Sequence, residues 1–65
     1  MVLAQRLKEW RKQQGYTQQQ MADFLAVHRT SYTKYEIGVV EPSLATLCRM
    51  ANVMKCTTDE LLGRT

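Results

Sequence analysis

Two cysteines and one histidine are the side chains of this sequence best suited to metal or nucleophile chemistry. Cys48 and Cys56 lie eight residues apart, without a C-x-x-C motif or a neighbouring histidine, so the ligand spacing of a zinc site is absent. His28 is the single histidine, and no Ser/His/Asp, Cys/His or paired-carboxylate arrangement is evident. The sequence therefore predicts no metal, no cofactor, no catalytic residue and no enzyme. It predicts reduced, buried cysteines in a cytoplasmic protein.

The basic side chains offer a different chemistry, which is the binding of anions. Nine Lys and Arg against six Asp and Glu give a net charge of +3. The whole excess falls within residues 1–36, whereas the charges of residues 37–65 sum to zero. This asymmetry suits a surface that faces a polyanion, although a solvated basic helix face gives the same count.

The length of the chain limits what can position these groups. Its 65 residues predict one domain, residues 1–65, with a modest core and no large cavity for a small-molecule substrate. Hydrophobic residues make up 45% of the chain, and no apolar run approaches the 18 residues that a membrane span needs.

Apolar spacing and capping signals predict short helices. Leu3, Leu7 and Trp10 recur at the i, i+4 and i+7 positions of an amphipathic helix. T-Q-Q-Q from Thr17 and T-T-D-E from Thr57 are capping boxes that open the second and fifth helices. The predicted helices are residues 2–14, 18–25, 29–37, 44–54 and 58–62.

The fourth helix is expected to begin after a serine cap at Ser43. Its apolar residues follow a spacing of three and four, which predicts one buried face. That face would contain Leu44, Leu47, Cys48, Ala51 and Met54.

The second and third helices are joined by about three residues, which is the spacing of a helix-turn-helix. Residues 15–38 read G-Y-T-Q-Q-Q-M-A-D-F-L-A-V-H-R-T-S-Y-T-K-Y-E-I-G, which resembles the helix-turn-helix of phage Cro and repressor proteins and their XRE-like bacterial relatives. Residues 41–51 and 57–65 resemble the fourth and fifth helices of that family. The resemblance covers nearly the whole chain. It implies an all-α, compact five-helix lambda-repressor-like DNA-binding domain, with the helix-turn-helix formed by helices 2 and 3.

The resemblance also implies which residues hold the DNA backbone. In the family, the residue after the cap of the second helix steadies a phosphate, and Gln18 occupies that position. The unpaired N–H groups at a helix start favour an anion there, although a glutamine can also be a simple helix former. We expect Gln18 and Ser43 to contact phosphates.

Base edges would be contacted from the start and outward face of the third helix. Arg29 is the leading candidate because its planar fork can pair with N7 and O6 of guanine. The complete set of expected base-reading residues is His28, Arg29, Thr30, Thr33 and Lys34. The alternative for these residues is a solvated helix face. His28 stands where the family usually has a Ser or Thr cap, so it is an ill-fitting cap, a base contact or a phosphate contact.

Arg11 and Glu36 are expected to play a structural part instead. Relatives with arginine in the first helix and glutamate near the end of the third join those helices by a largely buried ion pair. By resemblance, Arg11 and Glu36 form that pair in this chain.

The sequence departs from the family pattern in two places. The loop after the third helix often carries basic or polar residues, but Ile37, Val39 and Val40 surround the glycine here. This apolar loop either packs against the fourth helix or faces a partner. Ala26 stands where the family often has glycine, and alanine tolerates a positive φ poorly.

The sequence therefore predicts a sequence-specific, double-stranded DNA-binding transcriptional regulator. We expect a repressor that binds a two-fold-related operator as a homodimer. By resemblance, the fifth helix and the chain end at residues 61–65 are candidates for the dimer surface. The alternative is a protein-interaction module, such as an antitoxin or anti-repressor, that docks a partner through residues 37–40.

Overall fold

Five α-helices and no strand make up residues 2–63, the part of the chain that this computed structural model describes. They are α1 (Val2–Gln14), α2 (Gln18–Leu25), α3 (Arg29–Ile37), α4 (Leu44–Met54) and α5 (Thr58–Leu62). This architecture confirms the predicted all-α, five-helix fold class.

Reciprocal hydrogen bonds fix the starts of α2 and α5. Thr17 Oγ1 accepts from the Gln20 backbone N–H at 3.1 Å, and Gln20 Oε1 accepts from the Thr17 N–H at 2.8 Å. Thr57 and Glu60 make the same two contacts at 3.0 and 3.2 Å. Each box satisfies donors that a helix start otherwise leaves unpaired.

The turn between α2 and α3 is tight because the backbone reverses at Ala26. This residue adopts a left-handed conformation, with φ of 56° and ψ of 42°. The next residue, Val27, donates its backbone N–H to Ala22 O at 3.0 Å, which closes the helix end. Alanine is strained in this conformation, so the sequence-based concern about Ala26 applies to the folded chain.

The core lies where α1, α2, α3, α4 and α5 converge. Side chains from all five helices are buried in one cluster, which consists of Leu3, Leu7, Met21, Ala22, Leu25, Tyr32, Met50, Ala51 and Leu61. The end of α5 lies against the start of α1, since a Cβ atom added to Gly63 would be 2.9 Å from Val2 Cγ1. The helix-turn-helix packs against α1 and α4 on its inner side.

The predicted inner face of α4 is wrong at two of its positions. Leu44 is 75% exposed and Cys48 is also exposed, whereas Thr46 and Met50 are buried. Thr46 can be buried because its backbone N–H and its hydroxyl both bond to Ser43 Oγ. The inner edge of α4 is therefore rotated from the predicted one, and the expectation of two buried cysteines fails at Cys48.

Among residues 2–63, no helix is long and apolar enough to cross a membrane.

Candidate nucleic-acid interface

The outward side of α3 carries most of the residues that the sequence predicts to contact bases. Arg29, Thr30 and Lys34 are all exposed. They fall at the first, second and sixth positions of the helix, so two of them stand in the turn that a recognition helix inserts into the major groove. This surface offers a guanidinium, an ammonium and a hydroxyl group to a ligand.

His28 precedes this helix as its N-cap residue. Its backbone is extended, with φ of −70° and ψ of 146°, but its side chain makes no capping hydrogen bond. His28 therefore occupies the cap position without capping the helix, as expected of an ill-fitting cap, and a base or phosphate contact by its side chain stays a prediction. The imidazole is exposed beside Arg29. Within residues 2–63, no group of three or more His, Cys, Asp or Glu side chains could hold a metal ion.

Gln18 and Thr33 are hydrogen-bonded to each other and are only partly exposed. Thr33 Oγ1 donates to Gln18 Oε1 at 3.1 Å, and Gln18 Nε2 donates to Glu36 Oε1 at 3.3 Å. The amide of Gln18 therefore connects the start of α2 to the middle of α3. Sequence reasoning missed this link, for which the available signal was the placement of Thr33 and Glu36 on one side of α3, three residues apart.

Arg11 and Glu36 join α1 to α3 behind this link. Arg11 Nε lies 2.7 Å from Glu36 Oε2 and Nη2 lies 3.2 Å from Oε1, in a bidentate arrangement. Their side chains are 14% and 4% exposed. A further bond from Arg11 Nη1 to Tyr16 O, at 3.0 Å, ties the guanidinium to the turn before α2.

The surroundings of Glu36 favour its charged form. Burial alone would raise the pKa of this carboxyl, but hydrogen bonds from Arg11 and Gln18 outweigh that effect and hold the pKa below its ordinary value. Tyr32 lies in the core close by, and burial raises the pKa of its hydroxyl, so the tyrosine stays neutral. The polar link between α1, α2 and α3 thus contains one fixed negative charge and one fixed positive charge.

Ser43 caps the start of α4, and Arg49 connects α4 to the end of α2. Ser43 is exposed, and its hydroxyl accepts the Thr46 backbone N–H at 3.2 Å as the cap of α4. Arg49 Nη1 donates to Leu25 O at 3.4 Å, which places a cation at the carboxyl end of α2. Sequence reasoning assigned no role to Arg49, because a contact 24 residues away leaves no local pattern.

Comparison with known proteins agrees with this geometry. The model of a family described as helix-turn-helix matches residues 7–61, which include α2, α3 and α4 in full. The chain belongs to the helix-turn-helix family.

Relatives of this helix-turn-helix chain are named as regulators of transcription rather than as enzymes. It is 48% identical over 64 residues to the SPbeta prophage-derived HTH-type transcriptional regulator YonR of Bacillus subtilis, covering 98% of the chain and 59% of YonR. It is 41% identical over 64 residues to the cryptic phage CTXphi transcriptional repressor RstR of Vibrio cholerae, covering 98% of the chain and 57% of RstR.

A third relative is the HTH-type transcriptional regulator ImmR of Bacillus subtilis, at 38% identity over 98% of the chain and 50% of ImmR. The chain thus spans between 50% and 59% of the length of these curated relatives. No solved structure matches the chain significantly.

Two surfaces of the helix-turn-helix chain that the sequence singled out for partners differ in exposure. Ile37 and Val39 are each 66% exposed and Val40 is 42% exposed, so this loop is not packed away against α4. In contrast, Leu61 is 1% exposed and belongs to the core, which makes the predicted dimer surface wrong at that residue. Residues 64 and 65 lie outside the described residues.

Proposed function

We propose that this chain binds double-stranded DNA sequence-specifically and regulates transcription, as a repressor. The observation that carries the proposal is the exposed row of Arg29, Thr30 and Lys34 on a helix that α2 braces. The printed names of YonR, RstR and ImmR support the regulatory role. Such a protein acts in the cytoplasm, without enzymatic activity or a cofactor.

The chemistry of each side chain in and before α3 determines whether it contacts a base or the DNA backbone. The fork of Arg29 pairs with N7 and O6 of a guanine, a contact worth about 1 to 3 kcal/mol of discrimination. Thr30 donates to, accepts from or touches a neighbouring base, and Lys34 binds a phosphate or a guanine. His28 contacts the base or phosphate nearest the start of the helix. Thr33 presents its methyl group, since its hydroxyl bonds to Gln18.

Gln18 and Ser43 complete the backbone contacts. Gln18 Nε2 carries two hydrogens, of which one bonds to Glu36, so the other is free to donate to a phosphate. The N–H groups at the start of α2 and the helix dipole favour an anion at the same place. Ser43 stands at the exposed start of α4, where a second phosphate would meet another helix N-terminus.

We propose that two copies bind a two-fold-related operator as a homodimer. The centres of the half-sites then lie about one helical turn, roughly 34 Å, apart in the duplex. Selection of bound duplexes from a random pool is the deciding experiment, because it reports binding, the length of the half-site and its spacing together.

Arg29 provides the sharpest variant for this experiment. Arg29→Ala should relax the preference at one base pair, as measured by selection and by gel shifts against single-base variants of the selected duplex. Arg29→Lys is the matched control, since lysine keeps the charge but lacks the fork. Lysine should retain affinity for scrambled duplex and lose the guanine preference. An unchanged base preference in both variants would exclude Arg29 as a base contact.

The second candidate function is a protein-interaction module, such as an antitoxin or anti-repressor. It is favoured by the exposure of residues 37–40, which a DNA-facing loop would not need to make apolar. Failure to enrich any duplex from the random pool, even at low salt, together with retention of a protein partner in pull-downs, would favour this candidate. Enrichment of one duplex sequence would favour DNA binding.

A further inference from the structure

The side-chain amide of Gln18 is hydrogen-bonded at both its oxygen and its nitrogen, although the residue is partly exposed at the start of α2. Oε1 accepts from Thr33 Oγ1 at 3.1 Å, and Nε2 donates to Glu36 Oε1 at 3.3 Å. A glutamine without such partners populates several rotamers, and ordering it on a ligand costs conformational entropy. In this fold the amide is therefore ordered before a ligand binds.

The chemistry of its two partners determines which way the amide faces. Glu36 is ionised, because its hydrogen bonds outweigh burial and hold its pKa below the ordinary value, and a carboxylate can only accept. The amino group of Gln18 must therefore face Glu36, which leaves Oε1 to face Thr33. The hydroxyl of Thr33 can donate or accept, so it donates to Oε1. One hydrogen of Nε2 is then bonded to Glu36, and the other is available to a ligand.

We propose that Thr33 is a positioning residue, whose hydroxyl acts with Glu36 to hold the Gln18 amide with a hydrogen available to a DNA phosphate. The proposal rests on the proposed function, in which Gln18 contacts a phosphate. An amide turned over would present Oε1 instead, and that oxygen cannot donate to the acceptor oxygens of a phosphate. The bonds to Thr33 and Glu36 exclude this orientation.

The Thr33 side chain has two parts that can be tested separately. Its hydroxyl is bonded to Gln18, and its methyl group is the part that the proposed complex presents to a base. Thr33→Val replaces the hydroxyl by a methyl group of similar size, whereas Thr33→Ser removes the methyl group and keeps the hydroxyl. Valine and threonine are both β-branched and have similar helix propensities, so the valine variant is expected to fold.

The test uses the duplex that the chain selects and copies of it in which one phosphate at a time is replaced by a neutral methylphosphonate. Anisotropy titrations with the unmodified chain and with Gln18→Ala identify the phosphate at which the replacement weakens only the unmodified chain. Thr33→Val should bind the unmodified duplex roughly 2- to 10-fold more weakly, the effect of about one hydrogen bond, and should lose its sensitivity to that replacement. Thr33→Ser should keep this sensitivity.

A double-mutant cycle separates positioning from a general weakening of the interface. Thr33→Val combined with Gln18→Ala should bind no more weakly than Gln18→Ala alone, because the amide that the hydroxyl positions is gone. Thr30→Val is the matched control, since it removes an exposed hydroxyl from the same helix. Its effect should add to that of Gln18→Ala. Thermal unfolding checks that every variant is folded at the temperature of the titrations.

The outcomes distinguish the positioning role from DNA binding itself. Affinity of Thr33→Val equal to that of the unmodified chain, or an effect that adds in full to Gln18→Ala, would overturn the positioning role and leave DNA binding intact. Loss of the methylphosphonate sensitivity in Thr33→Ser would overturn it as well, because serine keeps the hydroxyl. If no phosphate distinguishes Gln18→Ala from the unmodified chain, the phosphate contact is refuted along with its positioning. Failure to select any duplex would refute the proposed function.

Discussion

Among single residues, Arg11 should carry the largest share of stability outside the apolar core. Arg11→Ala leaves the carboxylate of Glu36, which is 4% exposed, without its bidentate partner. Removing one member of a buried pair costs roughly 3 to 5 kcal/mol of unfolding free energy. Arg6→Ala, an exposed change on the same helix, should shift it by less than about 0.5 kcal/mol. Urea unfolding of the two variants measures the difference, and equal midpoints would refute the structural role of Arg11.

Glu36 should make the stability of the chain depend on acid pH. Because its pKa in the folded state lies below the ordinary 4.5, its contribution is fully present above that pH and is lost as the pH falls through the folded pKa. At pH 7 the unmodified chain should exceed Glu36→Gln by roughly 1.5 to 3 kcal/mol, the range for hydrogen bonds to charged groups. This gap should close on acidification. Thermal unfolding of both proteins between pH 7 and 2 tests it, and a gap that is constant with pH would contradict the assignment.

The sequence predicted the exposure of the α3 side chains in the candidate interface, but not the hydrogen bonds that its other residues make. Arg29 and Lys34 are exposed as the spacing of their helix predicts. Gln18 and Thr33 differ, since their hydrogen bonds to each other and to Glu36 depend on how closely α2 and α3 pack. Residue types and periodicity do not encode that distance. The contact that Arg49 makes with the end of α2 could not be predicted for the same reason.

At the scale of elements, local signals predicted the helix starts better than they predicted which face is buried. A capping box is a contact over three residues, so Thr17 and Thr57 identify their helices without reference to the rest of the fold. The buried face of α4 depends instead on how the helix docks against α2 and α5. Leu44 is apolar yet exposed, because the docked edge of α4 includes Thr46 and Met50.

One substitution in the turn between α2 and α3 should stabilise the folded chain. Ala26 has φ of 56°, which costs an L-residue roughly 1 to 2 kcal/mol, and glycine would avoid that cost at some expense in unfolded-state entropy. We expect Ala26→Gly to stabilise the chain by roughly 0.5 to 1 kcal/mol. Ala45→Gly makes the same chemical change at an exposed position within α4, and it should destabilise the chain by roughly 0.5 to 1 kcal/mol. Thermal unfolding should therefore shift in opposite directions, and a fall for both variants would show that Ala26 is not strained.

At the scale of the whole molecule, the charged residues are distributed unevenly along the chain. The net charge of +3 arises within residues 1–36, which include all of α1 and α2 and most of α3. The segment that follows is aliphatic, exposed and nearly uncharged. A basic stretch of the chain is therefore followed by an exposed apolar stretch. The composition of both segments could be determined from the sequence, but the exposure of the aliphatic segment depends on the tertiary structure.

This division predicts where the salt dependence of DNA binding originates. Binding releases counterions in proportion to the phosphates neutralised, so the plot of log affinity against log salt should become shallower by about one unit in Lys34→Ala if that ammonium holds a phosphate. Lys55→Ala removes another exposed lysine, at the C-cap of α4 and outside the helix-turn-helix. Its slope should match that of the unmodified chain. Anisotropy titrations of one duplex across several salt concentrations give all three slopes. Equal slopes for Lys34→Ala and the unmodified chain would instead indicate that Lys34 contacts no phosphate. A shallower slope in Lys55→Ala alone would indicate that DNA contacts the C-terminal end of α4 rather than α3.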